Sequence, residues 1–158
     1  MLFLKNKSFF KVANSHNLMK GIKTKKLFLL AIIVFLLNLL WEVCHTRLYT
    51  SDLYMTNIKD YMLVLLRMSF IDMLIILIIF GVISFFYKSF SWINKPKTRD
   101  YIIVIIYCLI VASVNELRAL GAGRWTYTTA MPTLFGIGLS PLVQLAVIAL
   151  IGLWFVRD

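Results

Sequence analysis

The sequence is poor in the residues on which most soluble catalytic motifs depend. Its 158 residues include only two cysteines, two histidines and seven acidic residues. It has no glycine-rich phosphate loop, no histidine pair at metal-binding spacing and no serine, histidine and aspartate set, which argues against kinases, metalloproteases and hydrolases. Cys44 and Cys108 are expected at different depths of the fold, so a redox enzyme of the paired-cysteine kind is disfavoured.

Charged residues are also scarce, at 15% of the chain, whereas hydrophobic residues make up 61%. Four apolar runs are long enough to cross a bilayer as helices, and only helices satisfy their own backbone groups in lipid without closing a barrel. The sequence therefore predicts an all-α, polytopic membrane protein, with a single four-helix transmembrane domain over residues 27–158. The predicted spans cover residues 27–43, 61–87, 101–117 and 133–156.

The basic residues predict the orientation of the chain. Seven lysines lie in residues 1–26. Four more basic residues lie between the second and third runs: Lys88, Lys95, Lys97 and Arg99. By the positive-inside rule we expect a multi-pass protein of the cell (inner) membrane with both termini in the cytoplasm. The net charge of +10 then reflects attraction to membrane lipids, and nucleic acid is not an expected partner.

Residues 1–26 form a basic segment of their own, ahead of the helical domain. Aromatic and aliphatic residues interleave with Lys5, Lys7 and Lys11, a pattern that suits a short helix lying on the inner leaflet. A disordered basic tail fits the same composition. We therefore expect a cytoplasmic or interfacial segment at the N-terminus.

Three acidic residues fall inside or beside the apolar runs, where a charged side chain is costly. Glu42 lies near the outer end of the first run, Asp72 near the middle of the second, and Glu116 in the outer half of the third. A carboxylate near the bilayer centre costs about 3 kcal/mol even on a lenient scale, so each residue is a functional-site candidate. By depth and orientation, all three are predicted to line one outward-opening pocket as its catalytic residues.

Polar residues on the first and fourth spans are predicted to form walls of the same pocket. Asn38, Glu42 and His45 are spaced by four and three residues, so they share one helix face. On the fourth span Gln144 lies eight residues after Gly136, on a stripe whose small residues allow close helix approach. A buried amide is expected where that stripe meets the first span.

The connection between the last two spans carries further candidates. Arg124 can hold a carboxylate or phosphate in a two-pronged grip, and the rings of Trp125 and Tyr127 suit a membrane interface. An ordinary loop that re-enters the membrane would carry the same anchors, with the arginine bound to lipid phosphate. The predicted substrate-binding residues are Asn38, His45, Asn115, Arg124, Trp125, Tyr127 and Gln144.

The stretch from Glu116 to Gln144 resembles a recurrent segment of the membrane carotenoid cyclases and carotenoid hydratases, with an intramembrane glutamate, a Gly-x-aromatic-x-Tyr motif and a proline-containing span. Those families have other numbers of spans. The whole chain also resembles small bacterial or archaeal membrane proteins of unassigned function. The shared motifs are Trp41-Glu42, Leu48-Tyr49, the mid-span Asp72, Gly-Arg-Trp-x-Tyr at 123–127 and Gly-Leu-Ser-Pro-Leu-x-Gln at 138–144.

Two classes of function fit the carboxylates. The first is an enzyme that acts by acid and base chemistry on a lipid or isoprenoid, with Asp72 as the general acid and Glu116 and Glu42 as its partners. The second is a small proton- or cation-coupled transporter, in which the same groups bind and release a cation. An accessory or structural subunit is a further alternative, with interhelical hydrogen bonds that only fix helix register.

No cofactor is expected from the sequence. Four side chains could contribute to a metal site: Glu42, His45, Asp72 and Glu116. Zinc and iron sites usually draw on more imidazole or thiolate, so no metal is predicted. A transporter of this size would need two copies or an inverted repeat, and no convincing internal similarity relates the two pairs of spans, which favours an enzyme or accessory subunit. Membrane lipids are the expected partners, and a homo-oligomer is left open.

Overall fold

The computed structural model describes residues 24–50 and 57–158, which are mostly helical. Within them, four helices are long and apolar enough to span a membrane. These helices are α1 (Thr24–His45), α2 (Ile58–Tyr87), α3 (Thr98–Gly121) and α4 (Leu139–Val156). The predicted all-α fold with four long apolar helices is therefore confirmed for this part of the chain. Most of the basic segment predicted at 1–26 lies outside the described residues.

Polar residues just ahead of the apolar runs determine where α2 and α3 begin. The Asn57 side chain accepts a hydrogen bond from the backbone N–H of Lys59 at 2.6 Å, as an N-cap does. At the start of α3, the Asp100 carboxylate accepts a hydrogen bond from the backbone N–H of Lys97 at 2.8 Å, which is half of a capping box. Both helices therefore begin a few residues before the predicted spans at 61 and 101.

The helices pack side by side in the order α2, α1, α4, α3. The first helix packs along both α2 and α4, and α4 also packs along α3, whereas α2 and α3 make few contacts. The contact between α1 and α4 thus connects the α1–α2 pair to the α3–α4 pair. Its apolar core draws on all four helices and includes Leu30, Val34, Ile76, Phe80, Val104, Cys108, Ile148, Ala149 and Leu153.

The outward faces of the helices are apolar. Many large hydrophobic side chains point away from the core, with Phe28 69% exposed and Phe86 68% exposed. Soluble monomers rarely expose contiguous apolar surface on this scale. The helix faces are therefore suited to contact with lipid rather than with water.

Two short antiparallel strand pairs lie at one end of the bundle, which we call the strand end. Here β1 (Tyr49–Thr50) pairs with β2 (Thr126–Tyr127), and β3 (Thr133–Leu134) pairs with β4 (Ile137–Gly138). The first pair holds the chain that follows α1 against the connection between α3 and α4. Residues near the ends of α1 and α3 are thereby brought to the same place.

The fourth helix is shorter than the span predicted from residue 133, because the first six residues of that span form the β3–β4 hairpin. Phe135 and Gly136 are its two turn residues, with φ of 52° and 81°. A turn of this kind requires left-handed backbone at both central positions. The helix begins only at Leu139, so Gly136 is not on the helical stripe that was expected to include Gln144.

Gly152 sets the closest approach of α1 and α4. A Cβ atom at this position would lie 2.8 Å from Val34 Cγ2 and 3.0 Å from Leu30 Cδ1. We therefore expect Gly152→Ala to lower the free energy of unfolding by about 1 to 3 kcal/mol through overpacking. Thermal unfolding of the purified protein measures this. Gly81→Ala is the matched control, since its Cβ would meet no atom within 4 Å, and equal losses in both variants would contradict the close approach.

Candidate functional site

The side chain of Gln144 is the centre of a buried polar cluster. Its amide nitrogen lies 3.1 Å from Asn38 Oδ1, 2.9 Å from Glu42 Oε1 and 3.0 Å from Asp72 Oδ2. The three acceptors come from α1 and α2, and the donor comes from α4. The structure thus brings together four of the residues that the sequence assigned to one site, although their roles there stay a prediction.

The amide nitrogen of Gln144 has more acceptor oxygens around it than it has hydrogens to donate. A Gln amide nitrogen carries two hydrogens, whereas three acceptor oxygens surround it. Glu42 Oε1 lies 2.9 Å from that nitrogen and Asp72 Oδ2 lies 3.0 Å from it. The two oxygens are therefore no more than about 6 Å apart. A proton held between the two carboxyl groups would supply a further donor. The arrangement is therefore suited to holding and releasing a proton.

The neighbouring buried polar groups are satisfied by their own helices. Asn38 is fully buried, and its Nδ2 donates to Val34 O at 3.0 Å, so its Oδ1 faces Gln144. Ser69 is also fully buried and donates to Leu65 O at 2.7 Å. Such local bonds to the preceding helix turn are usual for small polar side chains in helices. Neither residue competes with Gln144 as a donor to the carboxyl groups.

His45 extends the cluster toward the strand end. Its Nε2 lies 3.5 Å from Glu42 Oε2, and its ring centroid lies 6.5 Å from that of Trp41 and 5.3 Å from that of Tyr49. Its Nδ1 is buried and has no hydrogen-bond partner among the described residues. Nε2 is thus the ring nitrogen nearer to Glu42, although no hydrogen bond joins the two side chains. The imidazole adds a titratable group beside the carboxyl pair.

Glu116 forms the second half of the site. It is buried, and its Oε1 accepts hydrogen bonds from Tyr127 Oη at 2.6 Å and Trp125 Nε1 at 3.0 Å. The hydroxyl of Tyr127 in turn accepts a hydrogen bond from Gly138 N at 2.9 Å. Glu116 lies near the end of α3, as Glu42 lies near the end of α1, and both helix ends are at the strand end of the bundle.

Tyr49 connects the two halves, and the sequence did not predict it as a site residue. Its ring centroid lies 5.3 Å from that of His45, 5.9 Å from that of Trp125 and 5.7 Å from that of Tyr127. The β1–β2 pairing places Tyr49 directly opposite Tyr127. The Leu48-Tyr49 motif was part of a resemblance in the sequence, but it did not predict where the Tyr49 side chain lies.

Two of the predicted binding residues lie outside the cluster. Asn115 and Arg124 are both exposed. Asn115 precedes the buried Glu116 on α3, and consecutive helical residues point about 100° apart. Arg124 follows the end of α3, next to Gly123 with its φ of 63°. Their assignment to a substrate stays a prediction without support from any contact described here.

The donors around the carboxyl groups bear on how those groups could bind a ligand. Across residues 24–50 and 57–158, no group of three or more histidine, cysteine, aspartate or glutamate side chains could hold a metal ion. The amide of Gln144 donates to Glu42 and Asp72. The indole of Trp125 and the phenol of Tyr127 donate to Glu116. Hydrogen-bond donors therefore contact an oxygen of each of the three carboxyl groups.

No protein-family model, curated protein or solved structure matches the chain. The resemblances noted around Trp41 and Glu116 therefore stay predictions.

Tyr127 supplies a test of the second half of the site. Tyr127→Phe removes one donor to Glu116 and the acceptor of the Gly138 N–H. We expect it to lower the free energy of unfolding by about 1 to 3 kcal/mol, because partly buried groups lose their partners. Thermal or denaturant unfolding measures this. Tyr107→Phe is the control, since Tyr107 packs against the core and its hydroxyl makes none of the described hydrogen bonds.

The same pair of proteins gives a pH dependence. Burial, followed by the hydrogen bond to Glu116, raises the pKa of Tyr127 above its usual value of 10. The folded protein then keeps the phenol protonated at a pH where the unfolded chain loses that proton. This stabilisation is complete below about pH 10 and declines as the pH rises further. The stability gap between wild type and Tyr127→Phe should therefore narrow above pH 10, and a constant gap would contradict the assignment.

Proposed function

We propose that the chain is a multi-pass protein of the cell membrane, with four helices that cross the bilayer and both termini in the cytoplasm. The exposed apolar faces of the helices support insertion. The basic residues of the α2–α3 connection, at 88–99, lie at the end of the bundle opposite the strand end. We call this opposite end the basic end. By the positive-inside rule it faces the cytoplasm, so the carboxyl cluster belongs to the outer half.

We further propose that the cluster is an acid and base site that acts on a lipid or isoprenoid. The observation that carries this proposal is the Gln144 amide, which holds Glu42 and Asp72 together with only neutral donors. Among the described residues, no lysine or arginine forms an ion pair with either carboxyl group or with Glu116. A basic partner would hold the carboxylates permanently charged, whereas an amide leaves them free to take up and release a proton.

The geometry supports separate roles for the three carboxyl groups. Asp72, which is partly exposed, donates a proton to an apolar substrate, and Glu42 accepts a proton that leaves the substrate. The shared hydrogen bonds to Gln144 keep the two groups close enough for the proton on Glu42 to return to Asp72, which restores the starting protonation of both. Glu116, fixed by Trp125 and Tyr127, stabilises positive charge that develops on the substrate. The sparse contact between α2 and α3 supports access from the side, out of the lipid.

The contact between Glu42 and His45 favours a second candidate, a small proton-coupled transporter. His45 is the last residue of α1, so it is placed between the carboxyl pair and the strand end. A transporter needs such a route for protons to one side of the membrane. An accessory subunit would instead use the Gln144 hydrogen bonds only to fix helix register.

The proposed orientation can be tested with one added cysteine in a Cys44→Ser background, in which the remaining native thiol, Cys108, is buried. Ala130 and Ser91 are both exposed and lie at the strand end and the basic end, respectively. We expect a membrane-impermeant thiol reagent to label Ala130→Cys in intact cells, and Ser91→Cys only after the membrane is permeabilised. Labelling of both from outside would contradict the four-span topology, and the reverse pattern would contradict its orientation.

Asp72→Asn tests the acid and base role. We expect an infrared band of a protonated carboxyl group in wild-type protein that is lost in Asp72→Asn. Lipid extracts of expressing cells should show a product that falls by about a hundredfold or more in the variant, as expected for loss of a general acid. The matched control is Asp60→Asn, because Asp60 is exposed in the first turn of the same helix.

The possible results of this experiment separate the candidates. An Asp72-dependent lipid product supports the enzyme. Unchanged lipids with Asp72-dependent proton uptake into vesicles that contain the protein would support the transporter instead. If Asp72→Asn protein fails to accumulate in the membrane while Glu116→Gln is harmless, the cluster serves only to hold the helices in register.

A further inference from the structure

A cleft opens at the basic end of the bundle, beside the connection between α2 and α3, and it is separate from the carboxyl cluster. Hydroxyl groups and basic side chains dominate its wall. These lining residues are Tyr87, Ser89, Ser91, Lys95, Lys97 and Arg99. The basic side chains are the donors that the wall offers to an anion.

The two carboxylates in the cleft wall already have partners. Asp100 accepts hydrogen bonds from Tyr87 Oη and from Lys97 N, each at 2.8 Å, and Arg99 Nε lies 3.6 Å from it. Asp158 forms an ion pair with Lys26. Since both acids are compensated, they add little repulsion toward an incoming anion.

The positive charge of the cleft is in contrast largely uncompensated. The side chains of Lys95 and Lys97 are exposed, and neither forms an ion pair with any carboxylate of the described residues. Arg99 lies with its guanidinium carbon 5.4 Å from the centroid of the Tyr87 ring, which holds it at the cleft. Ser89 donates its hydroxyl hydrogen to Ser91 Oγ at 2.9 Å, which leaves the hydroxyl hydrogen of Ser91 for another acceptor. Two lysine side chains and the Ser91 hydroxyl thus line an open cleft in which a phosphate group could be bound.

We propose that this cleft binds the phosphate of an anionic phospholipid headgroup from the inner leaflet, with Lys95 and Lys97 as its main contacts. The proposal rests on the membrane orientation given above but not on any chemistry at Asp72. Exposed apolar side chains adjoin the cleft, since Phe85 and Phe86 form the last turn of α2 just before Tyr87. A lipid would place its acyl chains along that surface, which free phosphate cannot use, and this favours the lipid as the source of the phosphate.

Native mass spectrometry of the purified full-length chain can test the site, with phosphatidylglycerol and phosphatidylcholine as probes. We expect wild type to retain phosphatidylglycerol in preference to phosphatidylcholine. Lys95→Gln with Lys97→Gln should weaken phosphatidylglycerol binding by about tenfold or more, as expected for two basic residues near a membrane surface. The matched control combines Lys25→Gln with Lys88→Gln, which removes equal charge from exposed positions outside the cleft and should change binding by less than about threefold.

Three results would overturn the proposal. Equal weakening in both double variants would mean general attraction to positive charge. Equal retention of the two lipids would remove the role of the anionic headgroup, and lysine-dependent binding of inorganic phosphate without lipid preference would identify free phosphate as the ligand. If the Lys95 and Lys97 double variant does not fold, Lys95→Gln alone is measured, and unchanged phosphatidylglycerol binding would overturn the proposal. The cysteine-labelling experiment checks the orientation separately, so the two failures can be told apart.

Discussion

The hydrogen bonds of Gln144 join three of the four long helices, since one amide nitrogen on α4 contacts side chains of α1 and α2. Along α1, Leu30, Val34, Asn38 and Glu42 follow one another at four-residue intervals and so lie on one face. Along α4 the facing residues are Gln144, Ile148 and Gly152, at the same interval. The helices run in opposite directions, so Gly152 meets Val34 and Leu30 while Gln144 meets Asn38 and Glu42. Close packing at one end of the stripe thus brings the amide to the carboxyl group at the other.

The second half of the site depends on backbone pairing rather than on helix packing. Glu116 lies near the end of α3, and its donors Trp125 and Tyr127 lie beyond that helix. Pairing of β2 with β1 ties those donors to Tyr49, which is next to His45. The bond from Gly138 N to Tyr127 then joins the same loop to the start of α4. A buried carboxylate is costly without partners, and here folded loop structure supplies them.

Periodicity predicted the parts of the structure that are local. The long apolar runs predicted four helices, and the spacing of Asn38, Glu42 and His45 predicted that they share a face. The same reasoning extended the fourth helix too far, because an apolar stretch ahead of α4 does not reveal a hairpin. Pro141 illustrates the consequence: within a longer helix it would force a bend, but in the first turn of α4 its missing N–H costs no helical bond. The position of Tyr49 opposite Tyr127 depends on pairing between distant segments, which no local pattern encodes.

The carboxylates at the two ends of the bundle differ in whether a lysine or arginine lies beside them, and this difference supports the proposed function. At the basic end, Asp158 pairs with Lys26 and Asp100 lies beside Arg99. Asp100 also accepts hydrogen bonds from Tyr87 Oη and Lys97 N, and ion pairs of this kind suit a structural role. At the strand end the donors are an amide, an indole and a phenol, and among the described residues the one basic group in contact is the imidazole of His45, 3.5 Å from Glu42. Hydrogen bonds between amide side chains could fix the register of the helices without any carboxyl group. Three carboxyl groups without a lysine or arginine partner in the described part of the chain are a costly arrangement if they serve only to hold the helices in register, which is why we favour chemistry over scaffolding at this site.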